Sequence, residues 1–142
     1  MGKLTGQLVY LDSNAVIYAV EGYAELPGIR DALLIPMERG EVKAVTSQLT
    51  LLETLVGPRK AGNEVAEAGY RRFLTPSPVL TVESITDFIL ETAIEIRAKF
   101  GVKSPDAIHI ATGIHFNCDC FITADAGWSR TGVKIVDPRT LD

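Results

Sequence analysis

Four acidic residues stand in apolar segments where a lone charge has no evident structural purpose. Asp12 and Asp125 each follow a short apolar run, while Glu53 and Asp106 are embedded in helical patterns rich in Leu, Ile and Ala. Because each acid is placed where a strand ends or within a helix, we expect the four carboxylates to converge in space. Such a cluster favours a hard cation, and a hard cation in an acidic cleft commonly acts on phosphate groups.

Convergence of these acids has an electrostatic cost that a cation would remove. Two carboxylates about 4 Å apart repel by about 4 kcal/mol at an effective dielectric constant of about 20. Four such groups without a cation would take up much of the roughly 5–15 kcal/mol by which a domain is stable. The sequence therefore predicts Mg²⁺, or Mn²⁺, between the acids. It offers no set of His and Cys residues spaced to bind a softer metal.

Strand-like and helix-like patterns alternate along the 142 residues. The predicted strands cover residues 8–11, 42–46, 79–82, 121–123 and 134–136. The predicted helices cover residues 14–20, 27–39, 48–56, 63–74 and 86–100, and a last helix begins at residue 104. Helices between strands indicate a parallel sheet that is covered on both faces. We expect a single α/β domain over residues 1–142, a three-layer α/β/α fold with a central, mostly parallel sheet of four to five strands.

Local signals predict where the helices start, bend and stop. Ser104-Pro105-Asp106 predicts a helix start with Ser104 as the N-cap, and Gly57-Pro58 predicts a helix end. Pro36 is expected to kink or split its helix, because proline lacks the backbone N–H. Phe88 falls in the predicted buried stripe of residues 86–100.

The placement of the acids relative to the predicted sheet suggests a shared site. In an open parallel sheet, ligands bind beyond the carboxyl ends of the strands, where Asp12 and Asp125 fall. Asp106, in the first turn of its helix, and Glu53 are expected to reach the same edge. The alternatives are ordinary ones: helix capping worth about 0.5–2 kcal/mol for Asp12 and Asp106, a solvated helix face for Glu53, and an Asx-turn for Asp125.

Composition limits the remaining possibilities. The chain has 18 acidic and 14 basic residues, and removing the four candidate acids leaves 14 of each sign. A pI near 5.2 argues against strong non-specific duplex binding, but it is compatible with a small acidic site that handles one phosphodiester. No apolar run is long enough to span a membrane. No signal-peptide pattern opens the sequence, so we expect a cytoplasmic protein with reduced thiols at Cys118 and Cys120.

Four short motifs in order along the chain carry a family resemblance: Val9-Tyr10-Leu11-Asp12-Ser13-Asn14, Thr50-Leu51-Leu52-Glu53, Ser104-Pro105-Asp106-Ala107-Ile108-His109-Ile110-Ala111 and Phe121-Ile122-Thr123-Ala124-Asp125. Together they resemble the PIN-domain family of metal-dependent ribonucleases, particularly the VapC-type toxins, over nearly the whole chain. The resemblance implies that the catalytic, metal-binding quartet is Asp12, Glu53, Asp106 and Asp125. It also implies supporting polar positions at Asn14 and Thr123.

The same resemblance implies cofactor and partners. It implies Mg²⁺, with Mn²⁺ as a substitute, an RNA substrate, a homodimer, and a small antitoxin protein whose tail places an Arg among the acids. Trp128 stands where the family commonly has Phe, a mild departure.

Other residues near the motifs have two interpretations each. His109, one turn after Asp106, either faces the cleft or is a satisfied core histidine. Trp128 either stacks on a base or closes the sheet edge. Lys103 and Arg130 are the cations expected nearest to the site, where they would contact RNA phosphates; the alternative is ordinary solvated surface.

The leading hypothesis is a Mg²⁺-dependent endoribonuclease, the toxin of a toxin–antitoxin pair, with Asp12 and Asp106 binding the ion directly. An alternative from another class is a catalytically weak PIN module that binds RNA or a protein partner. A phosphatase of the aspartyl-phosphate type is disfavoured, because that chemistry needs a second acid two residues after Asp12, where the chain has Asn14.

Overall fold

A computed structural model describes residues 2–142 and contains one five-stranded sheet. The strands pair in parallel in the order β3-β2-β1-β4-β5. They are β1 Leu8–Leu11, β2 Lys43–Ser47, β3 Leu80–Glu83, β4 Cys120–Ile122 and β5 Ile135–Val136. The predicted parallel α/β architecture is confirmed, and the strand limits differ from the predicted ones by about a residue.

Helices occupy the connections between the strands. They are α1 Ser13–Glu21, α2 Pro27–Ile29, α3 Ile35–Glu38, α4 Gln48–Ala61, α5 Glu64–Phe73, α6 Asp87–Phe100 and α7 Ser104–His115. A π-helical segment, Arg30–Leu34, joins α2 to α3, and 3₁₀ turns cover Ala126–Thr131 and Pro138–Thr140. Among the described residues, no helix combines the length and apolarity needed to cross a bilayer. Both cysteines are free thiols.

The sheet separates two apolar cores, which follows from the two-residue period of its strands. Val9 and Leu11 of β1 point into a core shared with α1, α2, α3 and α5. Tyr10, between them, points into the opposite core, which contains Val45, Phe121 and the buried faces of α6 and α7. Both faces of β1 are therefore covered by apolar side chains. A polar side chain on this strand can reach solvent only at its carboxyl end.

Helix α7 lies directly against the central sheet. A Cβ added at Gly113 would stand 2.2 Å from Cε2 of Phe121 on β4, so only glycine permits this approach. The close packing also buries His109, one turn earlier on α7, to 2% exposure. The helix that carries Asp106 is thus fixed against the strand that precedes Asp125.

The predicted end of α4 at Gly57-Pro58 is wrong, because the helix continues to Ala61. It stops at Gly62, which has a φ of 66°. Glycine adopts this left-handed conformation without strain, because it has no Cβ. Arg59 donates two hydrogen bonds to Glu67 of α5, at 2.7 and 2.9 Å, and ties the last turn of α4 to the next helix.

The predicted kink or split at Pro36 occurs in the structure as a local widening of the helix just before this residue. The Ile35 N–H donates to the Arg30 carbonyl, five residues back, as in a π turn. The wider turn accommodates the Pro36 ring, so the chain distorts without splitting.

Two further local predictions are wrong. The N-cap of α7 is Lys103, and the Ser104 hydroxyl makes no cap; it accepts a hydrogen bond from Arg97 Nη1 at 3.1 Å. Phe88 is 64% exposed, because it lies about 100° around α6 from the buried Ile89. Its ring contacts His115 instead, with 4.8 Å between ring centroids.

Candidate active site

The first acid stands at the carboxyl end of the central strand. Asp12 directly follows β1 and caps α1, since its Oδ1 accepts a hydrogen bond from the Ala15 N–H at 2.7 Å. The carboxylate is only 5% exposed. Capping explains the position of Asp12, but a serine or asparagine would cap equally well without a buried charge.

The second acid comes from the helix after β2. Ser47 caps α4 through the Leu49 N–H, and Glu53 lies in the second turn of that helix. Oε1 of Glu53 accepts two hydrogen bonds, one from Ser13 Oγ at 2.6 Å and one from His109 Nε2 at 2.6 Å. Glu53 is thereby connected to both α1 and α7.

The third acid lies in the first turn of α7. Asp106 is half-buried and belongs to the same pocket as the first two acids, a cavity of about 210 Å³. The residues that line it come from α1, α4, α7 and the 3₁₀ turn after β4: Asp12, Ser13, Asn14, Ile17, Glu53, Asp106, His109 and Trp128. Three of the four predicted acids and the predicted Asn14 are therefore brought together.

The fourth acid and Thr123 lie at the margin of this pocket. Asp125 is exposed, does not line the cavity, and accepts a hydrogen bond from the Gly127 N–H at 2.9 Å. That bond is the Asx-turn expected as its alternative role. Its charge nevertheless raises the pKa of Asp106. Thr123 is buried, accepts from the Asp125 N–H at 3.0 Å, and lowers the pKa of Asp12 by hydrogen bonding.

The acids fall into two electrostatic classes. Burial raises the pKa of Asp12, and the nearby Asp106 adds to the effect. Burial likewise raises the pKa of Asp106, as do the charges of Asp125 and Glu53. The pKa of Glu53 is lowered instead, chiefly by its hydrogen bond from His109. For Asp12 and Asp106, burial and the neighbouring acids outweigh the groups that stabilise the ionised form, whereas for Glu53 the hydrogen-bond donors outweigh burial.

His109 is the functional candidate that sequence analysis left undecided. It is at once a satisfied, buried histidine and a lining residue of the pocket. Nδ1 lies 2.6 Å from the Tyr10 hydroxyl, and Nε2 lies 2.6 Å from Glu53 Oε1 and 3.4 Å from Ser13 Oγ. The only local signal was its position one turn after Asp106, on the same side of α7.

Trp128 packs in the pocket wall rather than projecting into solvent. It is 2% exposed and stacks on His109, with 6.1 Å between ring centroids. Its indole Nε1 is buried without a hydrogen-bond partner in residues 2–142. The predicted plug of the sheet edge describes this position better than a stacking platform for a base.

The two predicted cations differ in their relation to the site. Lys103 is exposed and lies near enough to lower the pKa of Asp106 by its charge. Arg130 is exposed in the 3₁₀ turn after β4, two residues from Trp128. Neither lines the pocket itself.

A larger cavity elsewhere carries no comparable chemistry. It measures about 450 Å³ and lies at the turn between α4 and α5. Its lining has two acids, Glu64 and Glu67, and two bases, Arg59 and Arg71, and Glu67 pairs with Arg59 at 2.7 Å and with Arg71 at 3.2 Å.

The donor set of the acidic pocket fits a hydrated Mg²⁺ or Mn²⁺ ion. As the side chains stand, no three Asp, Glu, His or Cys residues within 2–142 are arranged to hold one ion directly. Mg²⁺ does not require such a cage, because it keeps several waters and commonly binds one or two carboxylates. A cavity of about 210 Å³ has room for several waters at roughly 30 Å³ each. The oxygen donors and the raised pKa values of Asp12 and Asp106 both favour a hard cation.

Solved structures that superimpose on this chain include toxin–antitoxin proteins. VapBC2 from Rickettsia felis, bound to a DNA fragment from its promoter, superimposes with a TM-score of 0.74 at 15% identity, covering 91% of this chain and 97% of that chain. A toxin–antitoxin complex from Klebsiella pneumoniae gives 0.69 at 23% identity, covering 92% and 97%. VapC20 of Mycobacterium tuberculosis, a Sarcin-Ricin loop cleaving toxin, gives 0.64 at 21% identity, covering 88% and 95%.

Sequence comparison identifies the family of this chain. No curated protein matches this chain significantly. The family model of the PIN domain matches residues 9–134, a span that includes all four acids, strands β2 to β4 and all of β1 except Leu8. The chain belongs to the PIN-domain family.

Proposed function

We propose that this PIN domain is a metal-dependent endoribonuclease that hydrolyses RNA phosphodiester bonds with Mg²⁺ or Mn²⁺. The observation that carries the proposal is the convergence of Asp12, Glu53 and Asp106 from three separate elements on one pocket of about 210 Å³. Asp125 lies close enough to raise the pKa of Asp106. Acids that raise each other's pKa form a site that a divalent cation would stabilise.

Each acid has a distinct part in the proposed chemistry. A divalent ion, when bound, lowers the pKa of a coordinated water and stabilises the charge that develops on the phosphate. Asp12 and Asp106 are the proposed direct ligands, because burial and neighbouring acids leave their charges only partly compensated. Glu53 and Asp125 complete the site directly or through water. The hydrogen bonds that hold Glu53 suit it to orient the attacking water.

RNA is the proposed substrate, and the cations beside the pocket support it. Lys103 lies near Asp106 at the start of α7, and Arg130 lies in the 3₁₀ turn beyond β4. We propose that both contact phosphates of a single strand that crosses the pocket. Because the rest of the chain has no net charge once the four acids are set aside, binding should be limited to a few phosphates and should weaken with salt accordingly.

The test is cleavage of labelled single-stranded RNA by protein stripped with EDTA and then supplied with Mg²⁺ or Mn²⁺. We expect activity to return only with the ion and to fall at least about 100-fold in Asp106→Asn, because losing a few kcal/mol of charge stabilisation slows a step by that factor or more. Asp87→Asn is the matched control. Asp87 occupies the first turn of α6 as Asp106 does in α7, but lies outside the pocket.

An alternative has one observation in its favour. Within residues 2–142 no three ligands are gathered around one point, as expected of a catalytically weak PIN module that binds RNA or a protein partner. Such a module would bind the same RNA with or without Mn²⁺ and would leave it intact. Metal-restored cleavage that Asp106→Asn abolishes and Asp87→Asn retains would refute this alternative; equal residual cleavage in all three preparations would refute the nuclease.

We further propose that the chain is the toxin of a toxin–antitoxin pair, acting as a homodimer restrained by a small antitoxin. The fold shared with VapBC proteins supports this, as do exposed apolar side chains on α4 and α6. Leu52 and Val56, one turn apart, are 66% and 52% exposed, and Ile94 is 56% exposed. Light scattering tests the dimer. Growth inhibition on expression, relieved by co-expressing the neighbouring open reading frame, tests the antitoxin.

A further inference from the structure

His109 is held by polar partners on both edges of its ring. Nδ1 lies 2.6 Å from the Tyr10 hydroxyl, and Nε2 lies 2.6 Å from Oε1 of Glu53. Aromatic contacts hold the ring faces as well: Tyr10 meets it edge-on, with 5.7 Å between centroids, and Trp128 stacks on it at an interplanar angle of 25°. The orientation of the imidazole is therefore fixed by four contacts from β1, α4 and the turn after β4.

The partners also determine which nitrogen carries the hydrogen. Glu53 is an ionised acceptor, so the nitrogen that faces it must be the donor, which assigns the hydrogen to Nε2. Burial raises the pKa of Tyr10 well above its ordinary value, so its hydroxyl keeps its proton, and a neutral His109 with hydrogen on Nε2 offers Nδ1 as the acceptor for it. Donors and acceptors then run in one direction, from Tyr10 through His109 to Glu53.

The two carboxylate oxygens of Glu53 differ in their hydrogen bonds. Oε1 accepts hydrogen bonds from both His109 and Ser13. Among residues 2–142, no side chain donates to Oε2, although Glu53 lines the pocket. One oxygen is thus saturated by the protein, and the other is available to a ligand.

We propose that His109, ordered by the Tyr10 hydroxyl, is a positioning residue that holds Oε1 of Glu53, so that Oε2 is the oxygen offered to a hydrated divalent ion or its water. This inference rests on the proposed nuclease function and adds to it a residue outside the acidic quartet. It follows a general pattern in which side chains behind a metal ligand fix its orientation and basicity. His109 does not bind the ion itself, because Nε2 is already committed to Glu53.

Variants at positions 10 and 109 separate positioning from packing. His109→Phe fills the ring volume but removes the donor to Glu53, whereas His109→Gln can return an amide N–H near the position of Nε2. Tyr10→Phe removes only the hydroxyl that orders the ring. His115→Phe, at the exposed end of α7, is the control. Circular dichroism and melting curves establish that each variant is folded before it is compared.

Mn²⁺ affinity, measured by titration calorimetry without RNA, is the first readout. We expect His109→Phe to weaken it about 10–100-fold, as is typical when the residue behind a metal ligand is lost. His109→Gln should recover most of that loss, and Tyr10→Phe should lie between the two. In RNA cleavage, kcat should fall with KM nearly unchanged, since the ring is 2% exposed and would act through Glu53.

The tautomer is the second readout, and it is independent of metal and RNA. The chain has only two histidines, so ¹⁵N spectra of histidine-labelled protein can be assigned with one variant. His109 should show hydrogen on Nε2 and an acceptor at Nδ1. The exposed His115 should instead show a mixture of the two tautomers. This spectrum keeps the inference testable even if a position-109 variant fails to fold.

The outcomes distinguish the inference from the proposed function. Equal Mn²⁺ affinity in wild type and His109→Phe, or hydrogen on Nδ1 alone, overturns the positioning role and leaves the nuclease in place. Mn²⁺ affinity that depends on His109, in a wild type that cleaves no RNA, supports positioning and overturns the nuclease instead. A wild type that binds no Mn²⁺ overturns both.

Discussion

Replacing Asp12 by Asn removes one charge from the pocket and leaves the cap of α1 in place. The Asn side-chain oxygen can accept the hydrogen bond from the Ala15 N–H, now 2.7 Å from Oδ1, and Asn and Asp are about equally good N-caps. Asp12→Ala, in contrast, should lose about 0.5–2 kcal/mol of stability with the cap. The two substitutions therefore separate the local structural role of Asp12 from its charge.

The sign of the charge effect follows from the raised pKa of Asp12, caused by burial and by Asp106. A folded-state pKa above the unfolded one means that the native protein binds the proton more tightly. The stabilisation is present below the ordinary value of about 3.8 and is lost as the pH rises through the folded pKa. Asn imitates the protonated acid, so without metal near neutral pH we expect Asp12→Asn to melt above wild type. The difference should vanish toward about pH 3.

Added metal should reverse this order. A ligand at about 100 times its Kd stabilises the folded state by about 2.7 kcal/mol. For a chain of this size, about 1 kcal/mol corresponds to a Tm change of roughly 2–5 °C, so wild type should gain roughly 5–13 °C in Mn²⁺. Asp12→Asn should gain little, because one of the two proposed direct ligands has lost its charge. In Mn²⁺, wild type should then melt at a higher temperature than Asp12→Asn, the reverse of the order in EDTA.

Scanning calorimetry in EDTA and in Mn²⁺ measures both effects on four proteins: wild type, Asp12→Asn, Asp12→Ala and the control Asp87→Asn. The control should shift with Mn²⁺ as wild type does. A Mn²⁺ shift as large in Asp12→Asn as in wild type would refute Asp12 as a ligand. An EDTA melting point of Asp12→Asn several degrees below wild type would refute the claim that the buried charge destabilises the fold.

Three further predictions use other features of the pocket and its support. Trp128 is the only tryptophan in the chain and lines the pocket, so paramagnetic Mn²⁺ should quench its fluorescence more than Mg²⁺ does; emission that saturating Mn²⁺ leaves unchanged would contradict the site. Glu53→Gln should lower the free energy of unfolding in EDTA near neutral pH by about 1 kcal/mol. The reason is that the hydrogen bond from His109 lowers the pKa of Glu53, and the resulting stability is lost only as the pH falls through the folded pKa. Chemical denaturation should show this difference shrinking in acid, and a gain in stability would be the wrong sign. Gly113→Ala should lose about 1–3 kcal/mol by overpacking against Phe121; a melting point equal to wild type would show that α7 can move away from β4.

The sheet and the grouping of the acids could be predicted from local patterns, because each depends on a few neighbouring residues. A short apolar run followed by a polar residue defines the end of β1 and the placement of Asp12. The carboxyl ends of parallel strands share one edge, so Asp12 and the start of α7 were expected together. The meeting of Glu53 and Asp106 in one pocket follows from the same topology.

The partners of His109 could not be predicted in this way. Tyr10 is 99 positions from it along the chain, and Glu53 is 56 positions away. No local pattern encodes a hydrogen bond between such distant side chains. A buried tyrosine in a strand and a histidine in an apolar helix each look like ordinary core residues until the fold places them against each other.

Helix ends were predicted less well, because tertiary contacts override local signals there. Gly57-Pro58 is a strong local stop, yet α4 passes through it. The ion pair of Arg59 with Glu67 and the left-handed Gly62 together define a later end. At the start of α7, Ser104 is already helical, and its hydroxyl accepts a hydrogen bond from Arg97 instead of capping the helix. In both places a side chain from elsewhere in the fold decides the outcome.

The acids differ in how firmly the fold holds them, and this difference has a consequence for the proposed function. Asp12 and Asp125 each accept a backbone N–H in a turn or cap, a role that Asn fills equally well. Neither position therefore requires a charge for folding, and at Asp12 the charge opposes it. A chain that keeps a buried carboxylate where an amide would be more stable retains it at a cost in stability. Removal of that cost by a bound cation is the simplest physical reason for the charge, and the exchange of melting points in Asp12→Asn tests that reason directly.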